Sequence, residues 1–317
     1  MSNARDAYPA DRMTLREVGL RDGLQLVKRF PATTEKLAWI GAEYAAGVRH
    51  FEVGSFLPPE RVPQFADVRD LIRFVASCRG ARSAALALNE RGLADALQTP
   101  LDEIVCVVSA TEEHSQANMR RSRSAAVALV EKTAKARDVA GHKAIVNVGI
   151  SMAFGCSLAG EVAEADVLRL VEQCLAAGAD TIGIADTVGY AGPRQVAALT
   201  SAAARLCGND HPLIVHLHDT RGLGLANASA AMDAGCRVLD GALGGLGGCP
   251  FAPGASGNVV FEDLAFLAES KGFATGIDIA ALAEARAIAE REMPGEAFTG
   301  AIARAGLPAN VRWHAAR

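Results

Sequence analysis

His216 and His218 stand two residues apart at the end of the apolar run LIVHLH. Successive side chains of a β-strand point to opposite faces, so a strand here would project both imidazoles from the same face. Two imidazoles on a rigid strand can share one divalent ion, although an H-x-H pair also serves as a hydrogen-bonded core pair. Downstream, seven of the seventeen residues from Gly241 to Gly257 are glycine, against a background of about 7%. Such a segment reaches backbone conformations closed to other residues and can bring its amides close to a ligand. Its one thiol, Cys249, sits between Gly248 and Pro250. A cysteine on a loop of this kind is placed for chemistry rather than packing, the alternative being a chance position in a turn.

Short β-branched runs alternate with longer Ala- and Leu-rich amphipathic stretches along the whole chain. Strands are expected at 14–18, 50–53, 82–88, 103–109, 144–152, 181–185, 213–217 and 237–242. Helices are expected at 34–46, 61–77, 122–140, 164–177, 193–206, 223–234 and 262–271, with a further helix at 277–292. Glycines in AAGV, AAGAD and DAGC mark helix ends before the next strand. Eight β/α units over about 250 residues predict a single (β/α)8 TIM barrel. An open doubly wound sheet would bring a phosphate-binding fingerprint after its first strand, and neither G-x-G-x-x-G nor a Walker A sequence occurs. The expected division is an N-terminal extension at 1–12, the barrel at 13–276, and a C-terminal helical tail at 277–317 packed on the barrel.

Half of the 317 residues are hydrophobic, and 32 basic against 36 acidic residues leave a net charge of −4. That balance offers no footprint for nucleic acid or an anionic membrane. No apolar run approaches the roughly 18 residues that span a bilayer. The seven cysteines include no C-x-x-C pair, and Cys106 and Cys174 lie in apolar periodic runs, a usage that suits a reducing cytoplasm.

In a TIM barrel the chemistry sits at the C-terminal ends of the strands. There the first strand offers Glu17, Arg21, Asp22 and Gln25; the second offers Glu52 and Ser55; the sixth, Asp186 and Thr187; the seventh, His216, His218 and Asp219. The loop after the eighth adds Cys249, Ser256 and Asn258. One carboxylate, two imidazoles and an amide oxygen form a mixed N/O set suited to Mg²⁺, Mn²⁺ or Zn²⁺. Arg21 beside such an ion would stabilise negative charge developing on a substrate oxygen, although Arg21 and Asp22 alone could equally be a surface ion pair. His114 and its acidic neighbours read as a solvated group. Arg120, Arg121 and Arg123 read as either a solvated face or a contact for phosphates.

Three motifs in order, EVGLRDGLQ, HLHDT and GGLGGCPFAPGASGN, resemble those of the 3-hydroxy-3-methylglutaryl-CoA lyase family of DRE-type TIM-barrel metallolyases. The resemblance runs from about Leu15 to Gly276. It implies a divalent ion held by Asp22, His216, His218 and Asn258. It also implies catalytic roles for Arg21, Asp22, Cys249 and His216, with Glu52 and Asp186 in support. Gln25, Lys28 and Ser55 are expected to contact substrate, and Cys156 is expected to be structural. The implied reaction is a retro-Claisen cleavage of an acyl-CoA thioester. Its charge would fall on Arg21, and its enolate carbon would take a proton from Cys249.

Several positions depart from the family pattern. Gly149 and Gly183 stand where members carry tyrosine and serine, Arg221, Gly222 and Leu223 follow HDT, and Leu26 and Val27 follow RDGLQ. Glycine enlarges a pocket and removes hydrogen-bond partners, so a larger or differently substituted acyl group is the alternative to 3-hydroxy-3-methylglutaryl. A Claisen-condensing synthase of the isopropylmalate or citramalate type is a second alternative, and a barrel that binds without turnover is a third. A homodimer is the default expectation for such an enzyme.

Overall fold

The computed structural model describes residues 4–248 and 257–310. Eight strands, β1 (Thr14–Glu17), β2 (His50–Ser55), β3 (Arg82–Leu86), β4 (Glu103–Ser109), β5 (Ile145–Ser151), β6 (Thr181–Asp186), β7 (Leu213–Leu217) and β8 (Val238–Gly241), form a closed barrel in chain order. All pairings are parallel, and β1 closes on β8 with Thr14 opposite Val238 and Arg16 opposite Asp240. This is the (β/α)8 barrel the alternation predicts.

The helices are α1 (Ala4–Ala7), α2 (Thr33–Ala45), α3 (Val68–Ser77), α4 (Glu90–Ala96), α5 (Glu112–Met119), α6 (Arg123–Val139), α7 (Glu164–Ala176), α8 (Pro193–Cys207), α9 (Gly224–Asp233), α10 (Phe261–Ser270), α11 (Leu282–Glu292) and α12 (Ala301–Ala305). Each strand is followed by at least one of them. In α3, Val68, Leu71, Ile72 and Val75 are buried, the i, i+3, i+4, i+7 stripe of a helix packed on a sheet. Burial of each such side chain contributes about 1.5–3 kcal/mol before entropy is counted. Gly47, Gly178 and Gly235 follow α2, α7 and α9 with φ of 102°, 95° and 95°, the left-handed geometry that ends a helix cheaply only at glycine.

Three expectations shift. The helix expected at 61–77 is a short turn at Pro63–Phe65 followed by α3, because Pro63 has no N–H to continue a helix through it. The helix expected from 277 begins at Leu282. Ile277 and Ile279 are buried in irregular chain and a turn, Asp278 donates its amide to Ala46 O at 2.7 Å, and its carboxylate accepts from Ala281 N. α11 then packs on α2, joined by Arg291 to Glu35 at 2.7 Å. Helices α1, α4, α5 and α12 are too short for periodicity to reveal. Two of these short elements are held by side-chain caps, with Asn89 accepting from Gly92 N and Thr111 from His114 N.

The barrel interior is layered. At the floor, Ala4, Ala7 and Tyr8 pack with Ile145, Ile214 and Val238, so the N-terminal segment plugs the bottom. Ala84, Leu86 and Val105 form a second small cluster. None of the described helices is long and apolar enough to cross a membrane.

Candidate active site

The chain leaves β1 through a wide helical turn, Gly19–Gly23, in which the amides of Arg21, Asp22 and Gly23 all donate to Val18 O, at 3.1, 2.7 and 3.2 Å. A Cβ on Gly19 would lie 2.6 Å from Glu17 Oε1, and one on Gly23 would lie 3.0 Å from Leu246 Cβ. The turn is therefore tight against its neighbours, and it aims Arg21 and Asp22 over the barrel mouth. His216 is on β7 and His218 one residue beyond it, both pointing inward as period-two spacing requires. Residues 257–260 thread between the ends of β7 and β8: Asp219 N donates to Gly257 O, Val259 N to Leu217 O, and Ala242 N to Val259 O. This brings Asn258 beside His218.

Asp22, His216 and His218 converge so that their ligand atoms lie within 4.8 Å of one another. The two Nε2 atoms face each other at 3.2 Å, and Asp22 Oδ2 lies 3.5 Å from His218 Nε2 and 4.0 Å from His216 Nε2. Asn258 Nδ2 donates to Asp22 Oδ2 at 2.8 Å and to Leu246 O at 2.9 Å. Its Oδ1 is buried without a hydrogen-bond partner. Two imidazole nitrogens turned toward each other, a carboxylate and an orphaned amide oxygen form a donor set that a divalent cation would satisfy.

Arg21 spans two acids, with Nη1 2.5 Å from Asp22 and Nη2 2.8 Å from Glu52. Burial would raise the Asp22 pKa, but the Arg21 guanidinium and both histidines outweigh it and hold this carboxyl well below its usual range. Burial raises Glu52, partly offset by Arg21. For His216 burial works downward, yet the hydrogen bond and charge of Asp240, with the charge of Asp22, raise its pKa.

The remaining predicted residues divide. Gln25 Oε1 accepts from Arg21 Nη1 at 3.4 Å, and Ser55, at the end of β2, is buried with an unpartnered Oγ. Asp186 accepts from the amides of Tyr190 and Ala191 at 2.8 and 3.1 Å, and burial raises its pKa against those bonds; it fixes the loop after β6. Asp219 likewise accepts from Gly224 N at 2.7 Å, at the start of α9. Lys28 is exposed, and its amide donates to Glu296 Oε1 at 3.2 Å; the structure does not bring it into the cluster. Cys249 and Ser256 lie outside the described residues. His114 departs from the solvated reading: it is buried, with Nδ1 2.9 Å from Ser109 Oγ, because α5 folds back on the end of β4. Cys156 is buried, 3.2 Å from Thr111 Oγ1, and its sulfur accepts from the amides of Leu158 and Ala159, a structural position.

Sequence reasoning missed Asp240. Its Oδ2 lies 3.0 Å from His216 Nδ1, so it holds the ring from behind. A carboxylate inside the apolar strand RVLDGA was the available signal, since a buried charge needs a partner.

The HMGL-like family model matches residues 12–288. The chain belongs to the HMGL-like family. A hydroxymethylglutaryl-CoA lyase of Bacillus subtilis is 34% identical over 287 residues, covering 90% of this chain and 94% of that protein. An (R)-citramalyl-CoA lyase of Chloroflexus aurantiacus is 37% identical, covering 86% of this chain and 88% of that one. Among solved structures, an HMG-CoA lyase from Acinetobacter baumannii in complex with coenzyme A and 3-methylmalate superimposes with a TM-score of 0.87 at 34% identity, over 96% of this chain and 98% of that one. For an HMGL-like chain, the mixed cluster at the barrel mouth is the natural place to look for the chemistry.

Proposed function

We propose that this protein is a divalent-metal-dependent carbon-carbon lyase that cleaves a 3-hydroxy-3-methylglutaryl-CoA-like thioester to acetyl-CoA and acetoacetate. The observation that carries this reading is the convergence of Asp22, His216 and His218 under the Arg21 guanidinium, at the mouth of an HMGL-like barrel. Asp22, His216, His218 and Asn258 would hold the ion, Mg²⁺ or Mn²⁺ fitting this N/O set and Zn²⁺ also compatible with it. The ion would supply acidity, lowering the pKa of a substrate hydroxyl that chelates it.

Given that acidity, a carboxylate of low pKa suffices to take the hydroxyl proton, and Asp22 is kept ionised for the task by Arg21. The oxygen left behind becomes the ketone carbonyl as the adjacent carbon-carbon bond breaks. The bonding pair moves into the thioester enolate, whose oxygen Arg21 neutralises while Glu52 keeps the guanidinium oriented. The enolate carbon then takes a proton from the Cys249 thiol, and the proton held on Asp22 passes to the thiolate left behind, restoring both groups. A cavity of about 210 Å³ lined by Val27, Leu246, Asn258, Glu296 and Thr299 adjoins the cluster and offers room for part of the thioester.

One observation favours a different acyl group as a second reading. Gly149 and Gly183 are paired in register on β5 and β6. A Cβ on Gly149 would meet only Cys106 O at 3.9 Å, and one on Gly183 would meet nothing closer than 3.5 Å. No packing demand explains two adjacent glycines there, and the space they leave suits a substituent other than methylglutaryl. A relative from Pseudomonas aeruginosa named for both 3-hydroxy-3-isohexenylglutaryl-CoA and hydroxymethylglutaryl-CoA is 34% identical over 86% of this chain.

The deciding experiment measures acetyl-CoA release from 3-hydroxy-3-methylglutaryl-CoA, citramalyl-CoA and longer-branched analogues, with Mn²⁺ and after EDTA, in the wild type and in Cys249→Ala. Ion-dependent release from the methylglutaryl thioester, falling by about 10²-fold or more in the variant, supports the first reading. Turnover of an analogue alone transfers the assignment to that substrate. Condensation of acetyl-CoA with a 2-oxo acid, without cleavage, would overturn both. A homodimer is the assembly we expect, and light scattering on the eluted protein checks it.

A further inference from the structure

A line of buried polar groups runs down the barrel axis from His216 to the floor, and the chemistry above uses none of it beyond the histidine. Asp240 Oδ2 lies 3.0 Å from His216 Nδ1, and its Oδ1 lies 3.3 Å from Arg16 Nε. Arg16 Nη1 lies 3.1 Å from Glu103 Oε1. Glu103 accepts in turn from Asn147 Nδ2 at 2.6 Å and from the Tyr8 hydroxyl at 2.5 Å. Tyr8 comes from the N-terminal segment, its ring stacked 5.0 Å from His50 with the Arg16 guanidinium over its face at 5.9 Å. Tyr8, Arg16, Glu103, Asn147 and Asp240 are all buried.

We propose that Tyr8, Glu103, Arg16 and Asp240 form a positioning scaffold for His216, so that the N-terminal plug, at the end of the barrel away from the chemistry, sets the affinity for the divalent ion. The inference rests on the metal-lyase reading above. A neutral imidazole has one N–H and one lone pair. An ionised carboxylate only accepts, so Asp240 fixes the proton on Nδ1 and leaves the Nε2 lone pair facing His218 and Asp22. Asp240 could rotate away if it were alone. Arg16, opposite it in register on β1, attracts its other oxygen as an ion pair at 3.3 Å rather than through a hydrogen bond, and Glu103, held by Tyr8, pairs with Arg16 in the same way.

Simple packing does not call for such a set. The interior of a TIM barrel is ordinarily filled by branched aliphatic side chains, and three charges buried there are costly unless each is held by the others. One positive and two negative charges also leave a net negative charge below the ligands, which favours a cation above.

Mn²⁺ binding to the EDTA-stripped full-length protein, followed by electron paramagnetic resonance, tests this without reference to turnover. Asp240→Asn is expected to weaken Mn²⁺ binding by about 10- to 100-fold, and the remote Tyr8→Phe by about two- to fivefold. Ile145→Val, which loosens floor packing but leaves the polar line intact, is expected to bind as the wild type does. A folded Asp240→Asn protein with wild-type affinity overturns the proposal, as does an Ile145→Val protein that weakens as much as Tyr8→Phe. If Asp240→Asn does not fold, Tyr8→Phe decides, and unchanged affinity there overturns it. Failure of the wild type to bind Mn²⁺ would sink the lyase reading itself. Wild-type binding and cleavage with unaffected variants would sink only the scaffold.

Discussion

Glu17 and Asp22 lie five residues apart, both buried at the end of β1, yet their surroundings push their carboxyl groups in opposite directions. Asp22 faces Arg21 and two histidines, which hold it ionised despite burial. Glu17 faces the outer layer, where burial raises its pKa to about 8, although the amides of Leu243 and Gly19 donate to it at 2.9 and 3.0 Å and oppose the rise. Its neighbours there include Glu262, which accepts from Gly244 N at 2.9 Å and pairs with Arg286 at 3.0 Å. Burial alone therefore does not decide whether a carboxyl group is charged. At the mouth, cations keep an anion available for chemistry. In the outer layer, an acid whose pKa burial raises ties β1 to the start of the loop after β8 through backbone amides.

The comparison breaks first at the mouth. Asp22→Asn should lower kcat by at least about 10³-fold and abolish tight Mn²⁺ binding, because it removes both the anionic ligand and the proton acceptor; steady-state assay and metal titration read this directly. Arg21→Met should cost about 10²- to 10³-fold in kcat and also lower Tm, since Glu52 is left buried without its partner. Near-wild-type kcat would show that charge at the enolate oxygen is met elsewhere.

Glu17→Gln sharpens the other half. The folded protein holds a proton on Glu17 that the unfolded chain releases above its ordinary value of 4.5. The corresponding stability is full below that pH and is lost as pH rises through about 8. An amide in place of the carboxyl group has no such proton to lose, so the fall in Tm between pH 5 and pH 9 should be smaller in the variant than in the wild type. Parallel Tm curves would mean that Glu17 is ionised in the fold. The smallest effect is expected from Lys28→Ala, whose side chain is exposed; kcat/KM should change by less than about threefold, and a larger loss would make Lys28 a substrate contact.

Much of the barrel was legible because its rules are local. Short apolar, β-branched runs marked the eight strands, and glycines after α2, α7 and α9 marked helix ends. The His216–His218 spacing on an apolar strand predicted a shared face, and the structure puts both rings there. Elements with too few residues to show a period escaped, among them α1 and α5, and with α5 went the burial of His114. Arg16 and Asp240 escaped for a different reason. Each is one charged residue in a strand, and only strand closure, β1 against β8, makes them partners.

By itself the sequence determined the alternation of strands and helices, the family to which the chain belongs, and the residue types offered at the barrel mouth, since periodicity and motif spacing are properties of the chain alone. The tertiary structure decided which of those residues meet. It brought Asn258 to Asp22 across 236 positions, left Lys28 exposed, turned Asp186 onto loop amides, and placed Asp240 behind His216. It also set apart the two buried acids at the end of β1, one carboxyl group held below its usual range and the other raised by burial. These outcomes depend on distances between segments remote in sequence, and Coulomb and hydrogen-bond energies are set by such distances once the chain has closed.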